Sequence, residues 1–218
     1  MKDVTVIYYT SNREKEGFEA KIRERLFKTI GSLPLISVSQ KPVKNFGENI
    51  CVGDVGTSDH NIYRQIQIAC LRAKTKFVCT TEADCLYPPK GYFDFNPPDG
   101  STAYHYMNVW ILFKGYPVFK KKAFSLCALF TNREYLLSRI QRSIGKRPQW
   151  SDKKPRPIFH RYYGWTPYTN KFPVINIKTE EGMRWHTGTE KLEKKELPFW
   201  GNAIKLSKEL WPNQTKTI

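Results

Sequence analysis

Glu82 and Asp84, one residue apart after the run Phe77-Val78-Cys79-Thr80-Thr81, are the side chains in this sequence best placed to do chemistry. Phe77 to Thr80 is a short apolar and β-branched run of the kind that forms a buried strand. Side chains two apart on extended backbone point to one side, so both carboxylates would stand together at the strand's carboxyl end. Pro88-Pro89 then blocks continuation. Open α/β sheets place their ligands at such an end. Hard carboxylate oxygens suit Mn²⁺ or Mg²⁺, held by one or two protein ligands with substrate phosphates completing the shell. The competing reading is a solvated acidic turn.

The elements that would position this pair follow from periodicity. Val4 to Thr10 reads as a buried first strand, and Ser11-Asn12 as a helix cap. Phe18, Ile22, Leu26 and Ile30 recur at helical spacing, with Gly31 as the stop. Pro34 to Ser39 is a second strand, and Ser58-Asp59 caps a helix that carries Ile62, Ile66, Ala69 and Ala73 on one face. Ala103 to Phe113 reads as one long strand. A basic turn at Lys120-Lys121-Lys122 leads to a buried strand ending at Phe130, and Thr131 or Asn132 caps a helix with Leu136, Leu137, Ile140 and Ile144 inward. Val174 to Ile177 is the last strand, and residues 189–218 read as a short amphipathic helical tail containing Ile204, Leu210 and Trp211. The expected class is α/β, a single Rossmann-like domain whose mixed central sheet has helices on both faces.

The order strand, polar loop, helix, strand, helix, then a buried strand ending in Glu82-Ala83-Asp84-Cys85-Leu86-Tyr87-Pro88 resembles the nucleotide-sugar glycosyltransferases of the GT-A fold, in layout over residues 3–190. The resemblance implies a GT-A domain over residues 1–188, with a donor and metal half at 1–113, an acceptor half at 114–188 and a tail at 189–218. It implies a cation at Glu82 and Asp84 that engages the donor diphosphate, a UDP-sugar being the expected donor. Thr10, Asn12 and Arg13 would contact the nucleotide, although Ser11 and Asn12 serve equally as caps. Arg64 would meet the diphosphate or base, or else is a solvated charge. His186 is the match for a third metal ligand. Lys178-Thr179-Glu180-Glu181 stands where such a histidine is expected, so Glu181 could replace it, or there is no third protein ligand. Catalytic candidates are Asp84, Asp152 and Glu134. Asp152 could serve as general base or pair with Lys153 or Arg156, and Glu134 is also favoured by the helix dipole. Asn108 is a candidate substrate contact, and His105 a weaker one.

The formal net charge of +16 is unevenly spread. Residues 114–171 hold 14 basic side chains against Glu134 and Asp152, a net of +12, while each flank nets +2. Such asymmetry points to an anionic macromolecular partner. From Lys146 to Tyr168 the cations are interleaved with aromatics, a composition suited to phosphates and exposed bases. Lys121, Lys122, Lys146, Arg147, Trp150, Lys153, Lys154, Arg156, Arg161, Tyr163 and Trp165 are therefore candidate DNA contacts. The corresponding acceptor is a hydroxymethylated pyrimidine in DNA, as in bacteriophages that glycosylate their genomes, and in duplex DNA it would have to be flipped out. An acidic polysaccharide or other anionic polymer is the alternative acceptor. A nucleotidyltransferase is a second class, but Tyr9 to Arg13 lacks the glycine such a phosphate loop needs. A noncatalytic nucleic-acid-binding module leaves the two carboxylates without a purpose. The five cysteines are odd in number and never spaced C-x-x-C, which suits buried free thiols in a reducing compartment. No apolar run is long enough to span a bilayer and Met1-Lys2-Asp3-Val4 opens no signal peptide, so a cytoplasmic protein is expected, in the host cytoplasm if phage-encoded.

Overall fold

Strand and helix alternate through the first part of the chain: β1 (Val4–Tyr9), α1 (Glu16–Ile30), β2 (Leu35–Ser39), β3 (Glu48–Cys51), α2 (Asp59–Arg72) and β4 (Phe77–Glu82). There follow β5 (Cys85–Leu86), β6 (Ala103–Tyr106), β7 (Val109–Phe113), β8 (Tyr116–Lys122), a 3₁₀ turn (Leu126–Ala128), β9 (Leu129–Asn132) and α3 (Arg133–Ile144). The chain ends with β10 (Thr166–Tyr168), β11 (Val174–Lys178), β12 (Thr189–Lys194), β13 (Glu196–Leu197), β14 (Gly201–Asn202) and α4 (Ala203–Leu210). The structure, a computed structural model, describes residues 3–98, 102–122, 125–159, 164–179, 181 and 189–212.

The larger sheet has seven strands in the order β10-β6-β9-β4-β1-β2-β3. β1 to β4 run parallel as neighbours, while β9 is antiparallel to both β4 and β6. Every residue of β1 and β2 is buried, as expected of parallel strands covered on both faces. On one face Ile66 of α2 and Leu136 and Ile140 of α3 pack with Ile7, Val38 and Val78. On the other, Leu26 and Ile30 of α1 pack with Val6, Tyr8 and Cys79. The mixed sheet flanked by helices is the class that the periodicity predicts.

A second, five-stranded sheet, ordered β12-β8-β7-β11-β5, has no counterpart in the sequence reading. The long strand expected from Ala103 to Phe113 is two strands, β6 in the larger sheet and β7 in the smaller. Asn108 sits at the break, accepting from Trp110 Nε1 and donating to the Asn170 carbonyl, each at 2.8 Å. It braces the crossing between sheets, a use that differs from the expected substrate contact. β4 makes the same crossing. It ends at Glu82, turns through Ala83-Asp84, and resumes as β5 beside β11. The acidic motif therefore lies on a seam between two sheets.

The tail differs too. Residues 189–194 form β12, antiparallel to β8, and only Ala203–Leu210 is helical. Leu206 and Leu210 pack with Phe119 and Ile177, and Trp211 stacks on Phe18 at 6.0 Å, but Ile204 is 51% exposed. Cys70, Cys79, Cys85 and Cys127 are buried free thiols, and Cys51 is an exposed one. Among the described residues no helix is long and apolar enough to cross a membrane.

Candidate functional site

Glu82 closes β4 next to Tyr9, the last residue of β1. The Tyr9 hydroxyl donates to Glu82 Oε1 at 2.6 Å, and the Glu82 amide donates to the Tyr87 hydroxyl at 3.1 Å. Asp84 lies in the turn that follows. Its Oδ2 accepts from Lys178 Nζ at 2.9 Å, its Oδ1 from the Cys85 thiol at 3.4 Å, and its carbonyl from the Ile177 amide at 2.6 Å. Strand alternation thus does not present the pair as the spacing suggests; the turn and β11 do. The two carboxylates still feel each other. Burial, and then the charge of Asp84, push the Glu82 carboxyl above its ordinary value. Burial acts on Asp84 in the same direction, but the Lys178 and Lys122 ammoniums outweigh it and hold Asp84 low.

Two residues that sequence reasoning missed complete this cluster. Glu14 accepts from Thr179 Oγ1 with both oxygens, at 2.8 and 2.7 Å. Burial, reinforced by the charges of Asp84 and Glu181, pushes its carboxyl up to about 7 against the Thr179 hydrogen bond. Lys178, at the end of β11, is the other. Glu181 is half-buried and pairs with Lys15 at 3.4 Å and Lys114 at 3.8 Å. The only sequence signals were an acidic residue next to Arg13 and a lysine closing an apolar run, and neither stands out from surface charges.

Beyond the carboxyl ends of β1 and β2 lies a cavity of about 260 Å³, lined by Ser11, Asn12, Arg13, Gln40, Lys41, Asp54, Gly56 and Thr57. The loop after β1 serves both places: Ser11, Asn12 and Arg13 line the cavity, and Glu14 belongs to the carboxylate cluster. Asn12 fixes this loop. It adopts φ 51°, a left-handed conformation Asn tolerates, and its Oδ1 accepts from the Gln40 and Lys41 amides at 2.9 Å each. Thr10 is buried, with its carbonyl accepting from Gln65 Nε2 at 2.8 Å. Arg13 is exposed on the cavity wall.

The chain matches no protein-family model and no curated protein. Solved structures that resemble it include a glycosyltransferase involved in the glycosylation of the major capsid of PBCV-1, with 10% identity, a TM-score of 0.46 and coverage of 79% of this chain and 92% of that one. Mannosyltransferase PcManGT from Pyrobaculum calidifontis, in complex with GDP-Man and Mn²⁺, gives 16% identity, a TM-score of 0.43 and coverage of 81% and 56%. Bifunctional IspDF from Campylobacter jejuni gives 8%, 0.37, and coverage of 67% and 45%. Values this low fix neither substrate nor activity, which have to come from the site itself.

The Mn²⁺ or Mg²⁺ expectation can be tested on the donor set. Glu82 and Asp84 offer hard carboxylate oxygens, the donor type that Mn²⁺ and Mg²⁺ prefer. Those residues fit a divalent cation, on the condition that Lys178 yields Asp84. Among the described residues, one ligand atom each from Glu82, Cys85 and Cys127 lie within 4.8 Å of one another. This softer set shares only Glu82 with the predicted pair.

The remaining described candidates are scattered over the fold. Lys122 is only 7% exposed, with Nζ donating to Asn176 Oδ1 at 2.8 Å. Lys121 donates to the Met107 carbonyl and lies 5.5 Å from the Trp110 ring. Both belong to β8 in the smaller sheet, and the burial of Lys122 removes it from any DNA-facing surface. Glu134 is also displaced. Asn132 pairs with Phe77 at the amino end of β4, and Glu134 follows it, paired with Arg133 at 2.6 Å. At about 3.3 Å per residue the opposite ends of β4 are roughly 16 Å apart, so Glu134 is a helix-start charge, remote from Glu82.

Arg64 donates to Gln67 Oε1 at 2.9 Å and to the Arg147 and Pro148 carbonyls at 3.1 and 3.3 Å. It anchors the basic loop to α2 in place of the expected donor contact. Ser58 Oγ donates to the Ser151 carbonyl at 2.7 Å, and the Ser151 amide to Asn61 Oδ1 at 3.0 Å. These bonds bring Asp152 Oδ1 to 3.9 Å from where a Cβ on Gly56 would stand, at the cavity wall. Arg147 is half-buried and donates to the Ser143 carbonyl at 2.9 Å. Trp150 is half-buried, and Trp165 packs edge-on to His105 at 5.1 Å. Lys146, Lys153, Lys154 and Arg156 are exposed. His186, Arg161 and Tyr163 lie outside the described residues.

Proposed function

We propose that this protein is a metal-dependent glycosyltransferase that draws on a nucleoside-diphosphate sugar. One observation carries the reading: a single loop, residues 10–15, borders a polar cavity at the strand ends and also supplies Glu14 to a half-buried carboxylate cluster. A donor with a nucleoside in the cavity and its diphosphate toward Glu82 and Asp84 uses both. Arg13 and Lys41 supply cavity-wall cations for phosphate, while Gln40 and Asp54 supply an amide and a carboxylate for a base edge. Tyr9 orients Glu82 through its hydroxyl, and Asn12 holds the loop. A divalent ion bound by Glu82 and Asp84 would neutralise charge on the departing diphosphate. A UDP-sugar remains the specific donor we infer.

The acceptor we infer is anionic, with a hydroxymethylated pyrimidine in DNA as the specific candidate. Lys146, Lys153, Lys154 and Arg156 are exposed on either side of Asp152, which lies beside Gly56, so a polyanion held there reaches the cavity edge. Asp152 is accordingly the general-base candidate. Calorimetry with UDP and GDP, each with and without Mn²⁺, tests the donor: failure of both to bind ends the reading. Mass spectrometry of hydroxymethylcytosine DNA and of an acidic polysaccharide, each incubated with protein and a panel of nucleotide sugars, decides the acceptor. A mass gain on the polysaccharide alone would reject DNA.

A further inference from the structure

Two lysines with buried side chains converge on the carboxylate cluster from the smaller sheet. Lys178 on β11 is 9% exposed and Lys122 on β8 is 7% exposed, whereas lysine is almost never buried without a partner. Lys178 has Asp84 Oδ2 at 2.9 Å. Lys122 has Asn176 Oδ1 at 2.8 Å, and the Asn176 amide nitrogen lies 3.2 Å from Cys85 Sγ and 3.5 Å from the Asp84 carbonyl. Anions delivered by the β4–β5 crossing thus meet cations delivered by the second sheet.

An ammonium and a divalent ion compete for one carboxylate. With Nζ at hydrogen-bond distance from Oδ2, a second cation on the same oxygens would crowd two positive charges into a poorly solvated space. Asp84 Oδ1 also accepts from the Cys85 thiol, at 3.4 Å. Lys178 cannot move far, since β11 is held on one side by β7 and on the other by β5. Its ammonium can only swing within the site, toward the group that brings the next negative charge.

We infer that Lys178 is the resident counter-cation of this site: it neutralises Asp84 in the free protein, yields it when a divalent ion binds, and then faces the donor diphosphate with Lys122 behind it. The last clause rests on the glycosyltransferase reading, and the displacement at Asp84 does not. A plain structural ion pair between the sheets would instead affect folding and leave metal affinity alone.

The test measures Mn²⁺ affinity of the full chain from the electron paramagnetic resonance of free Mn²⁺, and UDP and GDP affinity by calorimetry at saturating Mn²⁺. Lys178→Met should bind Mn²⁺ about tenfold more tightly, within the usual range for coupled ligands, and bind the nucleotides several-fold more weakly. Lys178→Arg, which keeps the charge, should stay near wild type. Equal Mn²⁺ affinity in wild type and Lys178→Met overturns the inference, and so does Lys178→Arg behaving like Lys178→Met. Should Lys178→Met not fold by circular dichroism, Lys178→Gln, whose amide can still donate to Asp84, must show the same tightening. Tighter Mn²⁺ with no nucleotide binding in any form keeps the displacement and rejects the glycosyltransferase reading. Nucleotide binding with unchanged Mn²⁺ affinity does the reverse.

Discussion

The Tyr9 hydroxyl donates to Glu82 Oε1 at 2.6 Å, joining the ends of two adjacent parallel strands through their side chains. Both side chains sit where the larger sheet gives way to the smaller, and burial raises the Tyr9 hydroxyl well above its ordinary value, so it stays a donor at any physiological pH. Glu82 is therefore held as the acceptor of the Tyr9 hydroxyl.

Tyr9→Phe tests that hold. A hydrogen bond to a charged group is worth about 1.5–3 kcal/mol, and Glu82 would lose the contact that favours its ionised form. Its carboxyl should rise further. Divalent-ion binding, which needs the carboxylate, should then require a higher pH than in wild type. Mn²⁺ titrations across pH would show the midpoint moving up; an unchanged midpoint means that Glu82 is not a ligand.

Asp84→Asn keeps the shape and removes the charge. Lys178 is left facing an amide in a poorly solvated site, which should cost about 1–3 kcal/mol by thermal unfolding. Transfer or hydrolysis of the donor should fall by at least about a hundredfold, the scale for losing a charge-stabilising group. If the chain binds DNA, that binding should be nearly unchanged, because the exposed cations of residues 146–156 are untouched. Wild-type turnover in this variant would rule out the carboxylate mechanism.

His105 predicts an acid limb to stability. It is 1% exposed, with Nδ1 3.3 Å from the Ser125 carbonyl, and burial drops its imidazole from 6.5 to about 3 despite that hydrogen bond. The folded pKa is depressed, so the neutral ring's contribution is complete above pH 6.5 and is lost as pH falls toward about 3. The loss is on the order of a few kcal/mol. His105→Gln should narrow the gap to wild type steadily as pH drops from 6.5 to 4. A gap constant over that window would show that His105 does not titrate with unfolding.

What the sequence made legible was what a few adjacent residues can encode. The buried run before Glu82 and the stripe Phe18, Ile22, Leu26 and Ile30 carry local signatures and appear as read, but Ser11-Asn12 does not cap α1, which starts from Lys15 while Asn12 Oδ1 accepts from the Gln40 and Lys41 amides. The seam between sheets carries no such signature. Ala103 to Tyr106 and Val109 to Phe113 both read as strand, and it is the pairing of β6 with β9 and of β7 with β11 that separates them. Lys178, Lys122 and Arg64 failed for the same reason. A cation's partner is set by what the fold brings across dozens of residues, so a lysine destined for an interior carboxylate looks the same in sequence as one destined for solvent.

The basic loop gives the last prediction. Lys153, Lys154 and Arg156 are exposed, and the loop is anchored by other groups, among them Ser151, Arg64 and the Arg156 carbonyl that accepts from Ser143 Oγ. Changing the three side chains to Gln should therefore leave the melting temperature almost unmoved. If they contact DNA phosphates, each releases about 0.9 counterion, so the slope of log affinity against log salt should become shallower by about 2–3. The loss should be uniform across DNA sequences, since phosphate contacts carry no base information. Affinity measured from 50 to 200 mM salt by fluorescence anisotropy reads this directly. An unchanged slope would detach the charge-rich segment from nucleic acid, and an acidic polysaccharide would become the acceptor to pursue.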